Sequence, residues 1–205
     1  MQKIFFMGCL MVTIIMASCN STKIASSWKE PNKTVSIGKL NKVLVVALFK
    51  DETSNRKAED QMVAYLKDVG LVSYKYFKPN FDRKNEDVIR DMIKMDQFDG
   101  AITMRLVDID KDQIYTPSRN SAYPTYYRNF SGYYYRNWAY SSAPGYYSST
   151  KTYTVETVVF SIKEDKIIWS GLTKTTDPDG VTKMTEEIAE VIYKRMVKEG
   201  FISKK

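Results

Sequence analysis

No histidine occurs anywhere in the 205 residues. Ser-His-Asp triads, Cys-His pairs and HExxH zinc sites are therefore excluded, and most transition-metal sites with them. Any catalysis would have to run on carboxylates, Lys, Tyr or Ser. Three groupings of such residues can be weighed. Asp108, Asp110 and Asp112 alternate as a calcium loop begins, but its sixth and twelfth positions would be Gln113 and Arg119, where Gly and Glu are needed. An acidic strand end facing solvent, balanced by Lys111, is expected there. Ser36-Ile37-Gly38-Lys39 has the S-x-x-K spacing in which Lys activates Ser. No helix starts at Ser36, however, and Lys174-Thr175-Thr176 lacks the glycine of the companion motif. Asp51, Asp108 and Glu156 could serve glycoside hydrolysis only if two of them faced each other across a cleft, and nothing in their spacing juxtaposes them. No Gly-rich loop offers a phosphate cradle, so neither a cofactor nor a metal is expected.

A fourth grouping points to binding. Residues 113–150 hold ten of the fifteen tyrosines, three arginines and no acid. Within them Tyr126-Tyr127-Arg128, Tyr133-Tyr134-Tyr135-Arg136 and Trp138 interleave aromatic rings with guanidinium groups. Such faces stack on sugar rings while Arg forks take carboxylates, which suits an acidic glycan. The same residues dominate protein interfaces. A low-complexity surface loop has this composition too.

Cys19 is the other residue with chemistry to do. Lys3 is followed by an apolar run from Ile4 to about Met16 and then by small residues, the order of an export signal. The run is shorter than the roughly 20 apolar residues of a membrane span. Met16-Ala17-Ser18-Cys19 resembles the lipobox of bacterial lipoproteins. The resemblance implies that Cys19 receives a diacylglycerol and that residues 1–18 are removed. Residues 19–34 begin small and polar, as a lipidated tether would. Asn20 after the cysteine, with no acidic cluster behind it, implies by the same resemblance an outer-membrane protein facing the periplasm. Cys9 leaves with the leader, so the mature domain must fold without a disulfide. It keeps 30 basic residues against 24 acidic ones, because the leader removes only Lys3. In that compartment a positive balance either does no more than keep the domain soluble or suits lipid headgroups or cell-wall polymer, not nucleic acid.

These groups need elements to hold them, and the pattern supplies one domain over 35–205. A short strand is predicted at Val35–Ile37. Lys42 to Phe49 is a Val-rich apolar run, predicting a central strand buried on both faces. Ala58, Met62, Tyr65, Leu66 and Val69 have helical spacing, with Thr53 or Ser54 as N-cap and Gly70 as a left-handed C-terminal cap. Leu71 to Phe77 reads as a strand, Glu86 to Gln97 as a helix and Ala101 to Ile109 as a strand. After the insert 113–150, Lys151 to Ile162 and Ile167 to Thr173 form a hairpin turned by Lys163-Glu164-Asp165-Lys166. A last helix carries Val181, Met184, Ile188, Val191, Ile192 and Val197 on one side and stops at Gly200. The expected fold is α/β (α+β): a single mixed β-sheet, about three packed helices and a protruding Tyr-rich insertion.

That element order resembles the small α/β domains of periplasmic envelope proteins, such as the N-terminal domain of TolB and the curli-secretion lipoprotein. Ser27-Trp28 with Pro31, Lys42 to Leu48, the Tyr-rich centre, and Ile168-Trp169-Ser170-Gly171 before Asp177-Pro178 resemble envelope lipoproteins of the Bacteroidota. The resemblance implies location and fold and carries no activity. A non-catalytic binding or assembly module is therefore expected, held to the membrane through Cys19, with an envelope protein or an anionic cell-wall polymer as partner. A peptidoglycan-binding module is the alternative, and a carboxylate-based hydrolase stands behind both.

Overall fold

Val43, Val45 and Ala47 alternate with Leu44 and Val46, and both sets are withdrawn from water. Such a run must sit inside a sheet covered on both faces. In the computed structural model, which describes residues 21–78, 81, 86–116 and 146–203, it forms β2 (Val43–Leu48). The other strands are β1 (Thr22–Lys29), β3 (Gly70–Val72), β4 (Gly100–Thr116), β5 (Tyr146–Ser161) and β6 (Lys166–Thr176). They make one mixed six-stranded sheet in the order β1-β6-β5-β4-β2-β3. β2 runs parallel to β3 and β4, and every other pairing is antiparallel. The helices are α1 (Glu52–Leu66), the short α2 (Ser73–Tyr76), α3 (Glu86–Met95) and α4 (Gly180–Lys198).

The alternation along β2 divides the core. Val43 and Val45 face α1 and α4, packing with Met62, Leu66, Ile188, Ile192 and Met196. Leu44 and Val46 face the other way, into a smaller cluster with Phe77, Phe98, Met92 and Ile93 that seats α3. Both α1 and α4 are amphipathic for this reason.

Trp169 explains one of the sequence motifs. Its indole is wholly buried and lies over Gly171, where a Cβ would come within 2.4 Å of the ring. Its Nε1 donates to Glu199 at 2.8 Å, at the C-terminal end of α4. The Trp-x-Gly spacing is thus a packing requirement: residue 171 must leave room for a side chain that runs along its own strand.

Several expectations need correction. Residues 22–29, placed in the tether 19–34, form an edge strand on β6. Its small polar residues hide an inward face: Thr22 is buried against Thr175 and Glu187, and Ile24 packs on the core. Val35 makes only an isolated bridge to Ile202, and Ile37–Lys39 is a 3-10 turn. Leu71 to Phe77 is not one strand, since β3 ends at Val72 and α2 begins. The cause is Glu59 of α1, almost fully buried, whose carboxylate accepts from Ser73 N and Ser73 Oγ (each 2.7 Å) and from Ala47 N (2.9 Å). It fixes the first N–H groups of a helical turn where side-chain pattern alone suggests extended chain. Gly70 has φ −81° and opens β3, while Lys67, the C-cap of α1, takes a positive φ of +56°. Glycine is needed at 70 because a Cβ would stand 2.9 Å from that of Leu66. The N-cap of α1 is Asp51, which accepts from Ser54 N at 2.7 Å, one turn earlier than expected.

Candidate functional site

The strands flanking the Tyr-rich segment are the longest in the sheet. β4 pairs with β2 only as far as Arg105, opposite Leu48. β5 pairs with β6 only as far as Thr152, opposite Thr176. Beyond those points β4 and β5 continue against each other, from Lys111↔Lys151 to Thr116↔Tyr146. Six further pairs at roughly 3.4 Å each carry this two-stranded ribbon about 20 Å past the sheet. The expected insert 113–150 is therefore narrower. Residues 113–116 and 146–150 are strand, and the ends of the segment between them are held as cross-strand partners.

An isolated two-stranded hairpin is marginal in water. Here it grows from a sheet whose end is tied firmly. Asp177, at the end of β6, accepts from Lys151 N through Oδ1 at 2.7 Å and donates its own N–H to Lys151 O at 2.9 Å. Its φ of +45° aims both groups at β5. The Thr152 and Thr176 hydroxyls meet at 3.0 Å. The Asp177-Pro178 break thus does two things: it ends β6, and it clamps β5 where the ribbon leaves.

The start of the described chain lies at this same end. Thr22 pairs with Thr175, and Ser21 O accepts from Thr176 N at 3.1 Å. Ser21 Oγ donates to Glu187 of α4 at 2.8 Å. Ser21, Thr176, Thr152 and Asp110 are consequently neighbours across four chain segments. Asp110 and Asp112 of the ribbon base line a groove with Lys23 and Lys174. Cys19 is two residues before Ser21 in the sequence.

Of the residues singled out from sequence, Cys19 and Tyr126, Tyr127, Arg128, Tyr133, Tyr134, Tyr135, Arg136 and Trp138 lie outside the described residues. The catalytic groupings can be placed. Ser36 Oγ is hydrogen-bonded to Ser203 Oγ at 2.8 Å, and Lys39 ends the 3-10 turn in solvent. Glu156 is held by Arg105 at 2.6 Å across β4 and β5. Asp51 is occupied as a helix cap, and hydrogen bonds from Ser54 hold its carboxyl below the ordinary value. Asp108 accepts from Ile109 N beside the β-bulge of β4. Among the described residues no three acidic groups stand together as a metal site.

Two features escaped the sequence reading. Glu59 shares a helix face with Met62 and Leu66, three and seven residues on, so its burial was legible as spacing. Its partners Ala47 and Ser73 were not. The second is a half-open groove with an apolar floor beside residues 33–40, formed by segments too far apart in sequence to suggest one another.

No protein-family profile matches the chain, and no curated protein matches it in sequence. Among solved structures it is similar to the PelC dodecamer from Paraburkholderia phytofirmans, at 11% identity and a TM-score of 0.45, covering 83% of this chain and 95% of that one. It is also similar to lipoprotein GNA1162 from Neisseria meningitidis, at 10% identity and a TM-score of 0.42, covering 77% and 98%. TolB from Acinetobacter baumannii gives 10% identity and a TM-score of 0.37, over 86% of this chain and 31% of that one. Likeness at this distance says nothing of what the chain binds.

Proposed function

We propose that the chain is a non-catalytic envelope lipoprotein, anchored in the outer membrane through an acylated Cys19 and facing the periplasm. It acts as a binding or assembly module through the Tyr/Arg segment that the β4–β5 ribbon presents. The observation that carries this reading is the shared end of the sheet. The strand that leads back to Cys19 and the ribbon that leads to the Tyr/Arg segment leave the domain side by side. The two residue steps from Ser21 back to Cys19 span at most about 7 Å, whereas the ribbon reaches about 20 Å. The segment is therefore presented at the bilayer surface, to a partner embedded in or lying on the membrane.

The base of the ribbon is mixed in charge: exposed Asp108, Asp110 and Asp112 stand among exposed Lys23, Lys111, Lys151 and Lys174. That mixture suits a protein surface of complementary pattern. A photo-crosslinking residue in place of Gln113, in cells, tests the reading. It should capture a membrane protein, and the capture should vanish when Tyr134, Arg136 and Trp138 are all changed to Ala. The same probe at Lys39, at the far end of the domain, should capture none. Retention on purified peptidoglycan that depends on the three side chains, with no protein crosslink, would favour the glycan-binding module instead.

A further inference from the structure

Residues 33–40 cross the end of the sheet opposite Ser21 and wall a half-open groove of about 400 Å³. This strap is well fastened. Val35 N donates to Phe201 O at 2.6 Å, Ser203 N to Val35 O at 3.0 Å and Thr34 Oγ1 to Gly200 O at 3.0 Å, and Lys33 pairs with Glu164. The floor of the groove is apolar: Val43, Ile102, Ile168, Met196, Phe201 and Ile202 are each buried, and the half-buried Ile37, Leu40 and Phe160 supply the open wall. Thr34, Ser36, Asp99, Ser161 and Glu164 add polar groups to the lining. A concave site with an apolar floor and a few polar groups is of the kind that takes a small molecule.

The rim has its own chemistry. Lys39 on the strap and Lys163 in the β5–β6 turn both line the groove, both are exposed, and neither has an ion pair among the described residues. The two acids of the lining are already used. Glu164 is engaged by Lys33 and Lys166, and Asp99 accepts from the backbone of Asn41 and Lys42. An apolar groove whose rim carries Lys33, Lys39 and Lys163 against Asp99 and Glu164 suits one chain with one anionic head. The lipid of Cys19 is not placed to fill it, because β1 separates the two ends of the domain by eight residues, about 26 Å. We infer that this groove binds a single-chain anionic amphiphile, with the chain along Ile37, Leu40 and Phe160 and the head group at Lys39 and Lys163.

The test uses residues 20–205, exported behind a cleavable leader so that every described residue is kept, and delipidated before use. Oleate, added from solution and followed by native mass spectrometry and by displacement of cis-parinaric acid, should bind saturably at one per chain. Its methyl ester should bind about tenfold more weakly or worse, which corresponds to 1.4 kcal/mol. Lys39→Glu with Lys163→Glu should cause a similar loss while the melting temperature stays that of the parent. Leu40→Trp, which places an indole in the groove, should abolish uptake in a folded protein. Lysophosphatidylglycerol tried beside oleate distinguishes a phospholipid source from a free fatty acid. No uptake of either amphiphile overturns the inference. So does equal binding of acid and ester that the charge reversals leave unchanged.

Discussion

Glu199 collects hydrogen bonds from Ser27 of β1, Trp169 of β6 and Arg195 of α4, at 2.6, 2.8 and 2.8 Å. Burial pushes its pKa up, but these donors together outweigh burial and hold the carboxyl below its ordinary value of 4.5. A depressed folded-state pKa contributes stability that is present above the unfolded value and lost as pH falls through the folded one. The melting temperature should therefore fall on acidification below the ordinary Glu range, and Glu199→Gln should lose part of that dependence. Melts between about pH 7 and about pH 3 decide this; identical slopes for parent and variant would refute it. Gly171→Ala tests the indole contact. Its Cβ would meet a buried ring at 2.4 Å, so either the indole or β6 must shift, at a cost of about 1–3 kcal/mol. An unchanged denaturation midpoint would mean that Trp169 has room to move. Glu59→Ala should cost more, because the N–H groups of Ala47 and Ser73 would lose their acceptor inside the protein. A loss in urea no larger than that of Gly171→Ala would contradict that role.

At the scale of elements, the ribbon can be separated from what it carries. Thr116 and Tyr146 are direct cross-strand partners, so Asn-Gly can replace residues 117–145 and close a tight hairpin. Circular dichroism and thermal melting should match the parent closely, since loop-closure entropy changes slowly with length. Collapse of the fold would show that the replaced residues are structural. The sequence made some elements plain and hid others, for physical reasons. β2 and α4 were legible because apolar spacing reports burial directly. β1 was not, because Ile24 is its one aliphatic residue on the core and its other inward residues, Thr22 and Ser27, are held by Thr175, Glu187 and Glu199. The turn at Ser73 was hidden because a carboxylate fourteen residues earlier decides it. The arms of the ribbon were hidden because Gln113, Ser148 and Ser149 have no core face to reveal a period of two. Their strand character comes from pairing alone.

For the molecule as a whole, the sheet has two unlike ends. At one end the chain from Cys19 arrives beside the clamped base of the ribbon, joined through Ser21, Thr176 and Thr152. At the other, the strap of residues 33–40 walls the half-open groove, with Lys39 and Lys163 facing solvent. If Cys19 holds the first end at a bilayer, the ribbon lies at the lipid surface and the groove faces away from it. Tyr, Trp and Arg suit that surface, where aromatic rings sit at headgroup level and cations meet anionic lipid. The most direct test attaches an environment-sensitive fluorophore through a cysteine at Gln113 or at Lys39 of the lipidated protein, reconstituted in vesicles containing a headgroup quencher. The account predicts strong quenching at 113 and little at 39. Equal quenching at both positions, or stronger quenching at 39, would contradict it, because the Tyr/Arg segment would then not be presented at the membrane.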